Sequence, residues 1–271
     1  RYNLTQNKFN RYLPDKTNPN SIASNQINKI YKDRSGVLWI ATNKGLSFFT
    51  SKNNKFNSTF LSMPFDFETA KLNSQNTTTL LNTSNGNLIV GTDNGLIYSI
   101  KSLKGIELNK HPQLSKENIW SLAQDKSENI WIGTYGQGLF QLNLKNNKVV
   151  NHDILKTIII SQSRNFIKSL LVDDKNNLWI GTWGVGLARF NLSNKELTHY
   201  HHVSNNNKSI SHDDVWVIYQ DSKSRIWIGT SGGGLNLFDQ SNGGIFHRLD
   251  SDSQNQQGLN SNSIYSICES S

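Results

Sequence analysis

The sequence predicts an all-β fold built from repeated four-stranded units, and three observations support this. A ten-residue pattern that starts at Asp and ends in Trp-Ile-Gly-Thr, or once Trp-Ile-Ala-Thr, occurs as Asp33–Thr42, Asp125–Thr134, Asp173–Thr182 and Asp221–Thr230. With Ile89 in a degenerate copy, the anchor positions 39, 89, 131, 179 and 227 are 50, 42, 48 and 48 residues apart. No helical periodicity accompanies the repeat. This period is typical of a four-stranded β-propeller blade, which takes roughly 40–50 residues.

Each repeat divides into four predicted strands. The first strand has apolar residues three positions apart, and an Asp-led turn joins it to the second strand, Leu-Trp-Ile-Gly-Thr. Consecutive apolar residues in that second strand indicate that both of its faces are covered. A glycine-rich turn, a short third strand and a more polar fourth strand follow, as in Gly184–Gly186, Leu187–Phe190 and Leu197–Tyr200. Because a strand and not a helix follows the glycines, we interpret them as structural turns and not as a phosphate loop.

Composition excludes several classes of protein. The 271 residues contain no apolar run near the ~20 residues of a membrane-spanning helix. The net charge is +8, but its Lys residues are scattered through Asn- and Ser-rich turns, so we expect no nucleic-acid partner. The single cysteine, Cys268, cannot form an intramolecular disulfide, and no zinc-ligand spacing is present. We therefore expect neither a metal nor another cofactor.

The full pattern, I-x-x-I-x-x-D-x-x-G-x-L-W-I-G-T-x-x-G-G-L-x-x-F, resembles the two-component regulator propeller repeat. Departures include Ile89 at a Trp position and Ala41 at a Gly position. In that family the repeats build seven-bladed propellers in the periplasmic sensor of hybrid histidine kinases, in Gram-negative bacteria that degrade polysaccharides. The resemblance implies a homodimeric inner-membrane receptor whose kinase activity resides in a separate domain, so that the chain itself is not an enzyme.

The chain ends predict that residues 1–271 are a fragment of one propeller domain. The start, residues 1–12, aligns with a third and fourth strand, and the end, residues 262–271, aligns with a first strand. Between these partial blades we expect five complete ones, at approximately 25–60, 75–110, 117–152, 165–202 and 213–250. The expected architecture is thus an arc of a seven-bladed ring, completed by further blades and adjoining sensor domains of the same protein.

Candidate ligand-binding residues lie in the loops that would surround the ring axis. The residue after each Gly-Thr or Ala-Thr pair begins the loop between strands two and three, and the predicted set is Asn43, Asp93, Tyr135, Trp183 and Ser231. Polar residues that enter the first strands lie nearby, among them Asn165 and Asp213. Aromatic faces beside amides suit sugars, so Tyr135 and Trp183 are the main candidates. Arg164 and Asn165 could bind an acidic group on an oligosaccharide or another small ligand.

Other conspicuous residues have structural interpretations. The repeated Trp39, Trp131, Trp179 and Trp227 are interpreted as packing anchors between blades. The carboxylate pairs Asp173-Asp174 and Asp213-Asp214 are interpreted as turn or strand-entry features, and the His199–His212 cluster does not place three ligands on one side of a strand. No catalytic motif appears. Carboxylates converging from distant blades leave a propeller glycoside hydrolase or lyase open as an alternative, and a passive protein-interaction scaffold is another.

Overall fold

A computed structural model describes residues 2–3, 6–18, 20–34, 36–50, 55–57, 76–95, 97–102, 105–109, 112–114, 117–156, 158, 165–240, 243–251 and 258–269. These residues form β-strands and turns, with two short 3-10 helices. Within the described ranges, neither helix has the length or apolar character needed to cross a lipid bilayer. The chain divides into two compact units, residues 1–116 and 117–271.

The first unit contains a hairpin and two four-stranded antiparallel sheets. The strands are β1 (Tyr2–Asn3), β2 (Lys8–Phe9), β3 (Ile27–Lys32), β4 (Leu38–Thr42), β5 (Gly45–Thr50), β6 (Lys55–Asn57), β7 (Thr77–Asn82), β8 (Leu88–Thr92), β9 (Ile97–Ser102) and β10 (Gly105–Asn109), with helix η1 (Pro112–Leu114). Strand β1 pairs with β2, and the larger sheets are β3-β4-β5-β6 and β7-β8-β9-β10. Each larger sheet follows chain order, as expected for a propeller blade.

The second unit repeats this arrangement three times. Its strands are β11 (Ile119–Gln124), β12 (Asn129–Gly136), β13 (Leu139–Asn143), β14 (Lys148–His152), β15 (Asn165–Val172), β16 (Asn177–Thr182), β17 (Leu187–Asn191), β18 (Leu197–Tyr200), β19 (Val215–Gln220), β20 (Ile226–Thr230), β21 (Leu235–Asp239) and β22 (Ile245–Leu249), with helix η2 (Asp153–Leu155). The end of β12 also pairs with the start of β15, through Tyr135 opposite Phe166. Neighbouring sheets are therefore joined at this point by backbone hydrogen bonds.

Every first strand contains a β-bulge. In β11, Ile119 lies opposite Thr134 and Ser121 lies opposite Gly133, so Trp120 is the extra residue. The same shift occurs at equivalent positions of the other first strands, where the extra residues are Asn28, Thr78, Lys168 and Trp216. A bulge adds one residue to the normal two-residue alternation, which explains why the apolar positions of these strands are three apart.

The second strands form the buried centre of each sheet. All six residues of β16 are buried, which confirms the expectation from its consecutive apolar residues. Trp179 of this strand is 1% exposed and packs in a cluster with Val215, Ile218 and Phe238 of the following sheet. In the first unit, Trp39 likewise shares a cluster with Leu80 and other residues of the next sheet. Packing between consecutive sheets is therefore the main source of the apolar core.

The repeated Gly of the second strand lies where the next sheet approaches most closely. A Cβ built at Gly181 would lie 2.7 Å from Cγ1 of Val215 on β19 and would overlap the Ser169 hydroxyl. Gly133 meets Ile167 in the same way, and Gly229 meets Ile264. At these three positions of the second unit a side chain would push adjacent sheets apart, whereas the equivalent residue of the first repeat is Ala41, whose methyl group is buried in the core of the first unit.

The structure is an all-β propeller-repeat fold. In the described residues, three sheets have four strands each, and the two repeats from β11 to β18 are joined through the β12–β15 pairing into one eight-stranded sheet. The seven-bladed ring and the single-domain boundary at residues 1–271 stay predictions. At the carboxyl end, the expected first strand around Ile264 appears only as an isolated bridge between Ser231 and Ser263. Ile264 nevertheless donates its backbone N–H to the Thr230 carbonyl at 3.0 Å, as the beginning of a further repeat would.

Candidate functional site

The five predicted loop residues occupy equivalent positions in their sheets. Each donates its backbone N–H, over 2.9–3.3 Å, to the carbonyl of the residue that precedes the first-strand partner of the repeated Thr. The donors are Asn43, Asp93, Tyr135, Trp183 and Ser231, and their acceptors are Gln26, Asn76, Asn118, Phe166 and Asp214. This hydrogen bond fixes the backbone at the same position of each repeat. Asn43, Asp93, Trp183 and Ser231 follow the end of a second strand as predicted, whereas Tyr135 still belongs to β12, which continues to Gly136.

Tyr135 and Trp183 lie together in a group of four rings at the junction of two consecutive sheets in the second unit. We call Trp120, Tyr135, Phe166 and Trp183 the aromatic cluster. Tyr135 stacks on Phe166 with ring centroids 4.0 Å apart, and Trp120 lies 4.5 Å from Tyr135 and 6.1 Å from Trp183. Tyr135 is 37% and Trp183 46% exposed, so the cluster presents aromatic surface to solvent.

Lys168 adds a positive charge to this surface. Its Nζ lies 4.1 Å from the centre of a Trp120 ring, a distance at which a cation is attracted to the ring face. Partial burial lowers the pKa of Lys168, since removal from water disfavours the charged form. The cluster thus combines flat apolar faces with one ammonium group, an arrangement that could bind a ring with polar or acidic substituents.

The bulges explain how Trp120 and Lys168 come to lie at the cluster. Each is the extra residue of its first strand, and a bulge re-aims the side chain of that residue. In the first unit, the equivalent Asn28 reaches the following sheet, where its amide donates to the carbonyl of Thr77 at 2.7 Å. Asn28 and Trp120 therefore contact the next repeat, through polar atoms and through rings respectively, whereas Lys168 contacts Trp120 of the preceding repeat.

The remaining predicted residues have other surroundings. In the first unit, the side-chain amide of Asn43 donates a hydrogen bond to Gln26, and Asp93 begins the turn after β8. In the second unit, Ser231 forms the bridge to Ser263, and the Asp213 carboxylate accepts the backbone N–H of His202 at 2.6 Å. Asn165 pairs through its backbone with Gly136, while Arg164 lies outside the described residues. Of the predicted residues, Tyr135 and Trp183 are thus the two that lie together in the aromatic cluster.

Three residues of the site were not predicted: Trp120, Phe166 and Lys168. Trp120 and Lys168 follow the first apolar residue of a strand, where regular alternation would place them away from a neighbouring loop. The three-residue apolar spacing was the signal for a bulge at this position. Phe166 could have been found because it directly precedes that apolar residue, as do the acceptors Gln26, Asn118 and Asp214 of the repeated hydrogen bond.

The carboxylate pairs and the histidines make hydrogen bonds within the fold. Asp173 accepts the indole N–H of Trp179 at 2.8 Å. The Ser224 hydroxyl, which donates to Asp174, is the main reason that the pKa of this carboxyl lies below its usual value. His202 is hydrogen-bonded through Nδ1 to the Ile210 carbonyl. In the part of the chain that the structure describes, no three His, Cys, Asp or Glu side chains are grouped so that they could hold a metal ion.

Several solved structures share this fold. Extracellular domains of two putative hybrid two-component systems from Bacteroides thetaiotaomicron match 96% and 93% of this chain, at 24% and 20% identity and TM-scores of 0.66 and 0.52. This chain spans 32% and 39% of their lengths. Virginiamycin B lyase from Staphylococcus aureus matches 83% of this chain and 71% of its own length, at 12% identity and a TM-score of 0.62. No curated protein matches the sequence.

The family model described as "Two component regulator propeller" matches four segments, residues 21–44, 113–136, 161–184 and 209–232. Each segment contains a first strand with its bulge, the Asp-led turn and the second strand, and ends in the loop that carries the candidate residue. The Ile89 repeat, which lacks the Trp, is not among these segments. By these four segments, the chain contains repeats of the two-component regulator propeller family.

Proposed function

We propose that this chain is part of the periplasmic, ligand-sensing region of a hybrid two-component histidine kinase anchored in the inner membrane, and that it responds to a carbohydrate fragment. The observation that carries the proposal is the solvent-exposed aromatic cluster at a junction between blades. Sugar rings present C–H patches that pack on aromatic faces, while their hydroxyl groups bond to nearby polar groups. The matched repeats and the fold shared with extracellular domains support the sensing role.

Signalling would proceed by a shift between two arrangements of the receptor. A ligand that binds one arrangement more tightly increases its population, and the shift is limited by the difference between the two affinities. Bound saccharide would bridge Tyr135 and Trp183, which belong to consecutive sheets, and would thereby favour one relative position of these sheets. In a homodimeric receptor, such a change would pass through the adjoining sensor domains to the kinase.

The test has a binding part and a cellular part. Calorimetric titration of the chain with a panel of oligosaccharides should reveal at least one ligand, and the same ligand should induce transcription in cells that carry the full receptor. Absence of any binding, together with unchanged induction in cells whose receptor lacks residues 117–271, would refute the proposal.

The same titrations distinguish the alternatives. Chromatography of the polysaccharide mixtures should show no new products over time, whereas steady release of fragments would favour a glycoside hydrolase or lyase. Capture of a specific protein without any saccharide affinity would favour an interaction scaffold.

A further inference from the structure

We propose that the saccharide bound at the aromatic cluster is acidic, and that Lys168 recognises its carboxylate or sulfate group. This inference rests on the proposed function and names the ligand class of the same site. In this proposal Lys168 selects charged over neutral sugars, while the aromatic cluster binds the sugar ring.

The first step of the argument is that the Lys168 ammonium has unused hydrogen-bonding capacity. An ammonium group carries three donors and no acceptor. Among the residues that the structure describes, none accepts a hydrogen bond from Nζ of Lys168 and no carboxylate lies within 4.0 Å of it, while the centre of a Trp120 ring lies 4.1 Å away. A half-buried cation without an anionic partner is costly, so a ligand anion placed there would restore a favourable interaction.

The second step is that the fold does not require Lys at this position. The bulge residues of the first unit are neutral and make hydrogen bonds within the fold: Asn28 donates to Thr77, and the Thr78 hydroxyl donates to the Gly91 carbonyl at 3.1 Å. In the last sheet, Trp216 packs against Tyr265 with ring centroids 4.6 Å apart. Among the five bulge residues, Lys168 is the charged one, and it makes no such hydrogen bond. The bulge therefore forms without a charged side chain, and the charge of Lys168 is not needed for the fold.

The third step concerns what the site can hold at the same time. Lys168, Tyr135 and Trp183 all lie close to the same Trp120 ring, so one ligand could reach the ammonium and the exposed rings together. A sugar acid has this form, since its ring packs on an aromatic face and its charged group projects from the edge. A hydrogen bond between an ammonium and a carboxylate is stronger than one between neutral groups.

The experiment compares matched acidic and neutral ligands on the 271-residue chain. Calorimetric titrations use trimers of galacturonate, glucuronate and mannuronate, each beside its methyl ester, and a sulfated disaccharide of the chondroitin type. The methyl ester keeps the sugar ring but removes the charge. We expect at least one acid to bind about tenfold more tightly than its ester, as one charge-assisted hydrogen bond would produce.

Variants assign the effect to Lys168. Lys168→Gln should remove the preference for the acid and leave ester affinity unchanged, whereas Lys223→Gln, the same charge change on an exposed turn, should preserve it. A Lys168-dependent preference for the sulfated sugar alone would identify sulfate as the group recognised.

Three results would overturn this inference and leave the proposed function standing. They are equal affinity for acids and esters, binding of neutral sugars only, and a preference for the acid that is retained in Lys168→Gln. If no saccharide binds, this inference fails, and the proposed function fails with it when induction is also unchanged in cells whose receptor lacks residues 117–271.

Discussion

The indole N–H of Trp179 donates a 2.8 Å hydrogen bond to Oδ2 of Asp173, six residues earlier in the chain. The same bond joins Trp39 to Asp33, Trp131 to Asp125 and Trp227 to Asp221, over 2.8–3.0 Å. In the degenerate repeat both partners change together, to Ile89 and Thr83, and the Thr83 hydroxyl instead donates to the Asn87 carbonyl. The Asp and the Trp of the repeat are therefore a structural pair, in which the hydrogen bond connects the turn of the first hairpin to the indole in the core.

We expect Asp173→Asn to destabilise the protein. The Asp173 carboxylate also accepts the backbone N–H of Asn177 at 2.8 Å, and an amide cannot offer acceptors to both donors. A buried donor left unsatisfied costs about 1–3 kcal/mol of unfolding free energy. Urea unfolding at neutral pH measures this loss, and Asn207→Ala on an exposed turn serves as the control.

A double-mutant cycle tests whether the two side chains act together. Trp179→Phe removes the donor, so the combined variant should lose less stability than the two single variants in sum, by about 0.5–3 kcal/mol. Strict additivity would contradict the coupling inferred from the hydrogen bond.

Acid should weaken the last complete sheet through Asp221. Burial alone would raise the pKa of this carboxyl, but hydrogen bonds from Trp227, from the Arg225 side chain and from backbone N–H groups together lower it to about 2. Its folded-state pKa thus lies below the ordinary value of 3.8. This contribution to stability is complete above the ordinary pKa and is lost as pH falls through the folded-state value.

Thermal unfolding between pH 6 and pH 2, a range of about two units on either side of the ordinary Asp pKa, measures this loss. Asp221→Asn should be less stable at pH 6 and should show a smaller further decrease on acidification. Asp250→Asn, at an exposed carboxyl, should keep the full decrease. An unchanged acid profile in Asp221→Asn would contradict the assignment.

The four-stranded repeats were predictable because the sequence displays the same constraints several times. Trp179 alone is compatible with many folds, but four copies of its surroundings at nearly equal spacing require equivalent neighbours. Burial of the second strand on both faces followed from its consecutive apolar residues. The hydrogen bond between Asp173 and Trp179 did not follow, because the Asp was assigned to its local turn and a strand side chain six residues away has no sequence signature.

The candidate site was predictable in part. Tyr135 and Trp183 follow a recognisable Gly-Thr pair, so their place at the end of a sheet could be inferred from the repeat. Trp120 and Lys168 could not be placed in the same way, because strand alternation fails at a bulge. Contact between rings of consecutive sheets also depends on how closely the sheets approach, which the repeat does not specify.

Gly181→Ala tests how closely the sheets must approach. The added methyl group would lie 2.7 Å from Val215 and would overlap the Ser169 hydroxyl, so either β19 or β15 must move. Overpacking of this kind costs about 1–3 kcal/mol of unfolding free energy. Urea unfolding of Gly181→Ala and Ser169→Ala/Gly181→Ala should show partial recovery in the double variant, because the contact with Val215 remains. An unfolding free energy of Gly181→Ala equal to that of the unchanged protein would contradict this prediction, because it would mean that β16 and β19 can separate without cost.

The aromatic cluster should contribute to binding more than to stability. Tyr135→Ala and Trp183→Ala remove rings that are partly exposed, and each should weaken the tightest oligosaccharide found in the titrations about tenfold, as loss of a central interface aromatic does. The same substitutions should lower the unfolding free energy by about 1 kcal/mol, the value of an aromatic pair. Tyr265→Ala, which removes a ring that is 74% exposed and outside the aromatic cluster, should leave the affinity unchanged. Equal weakening by all three variants would mean that the saccharide does not select this junction, because an effect shared with Tyr265 cannot arise from contacts at Tyr135 and Trp183.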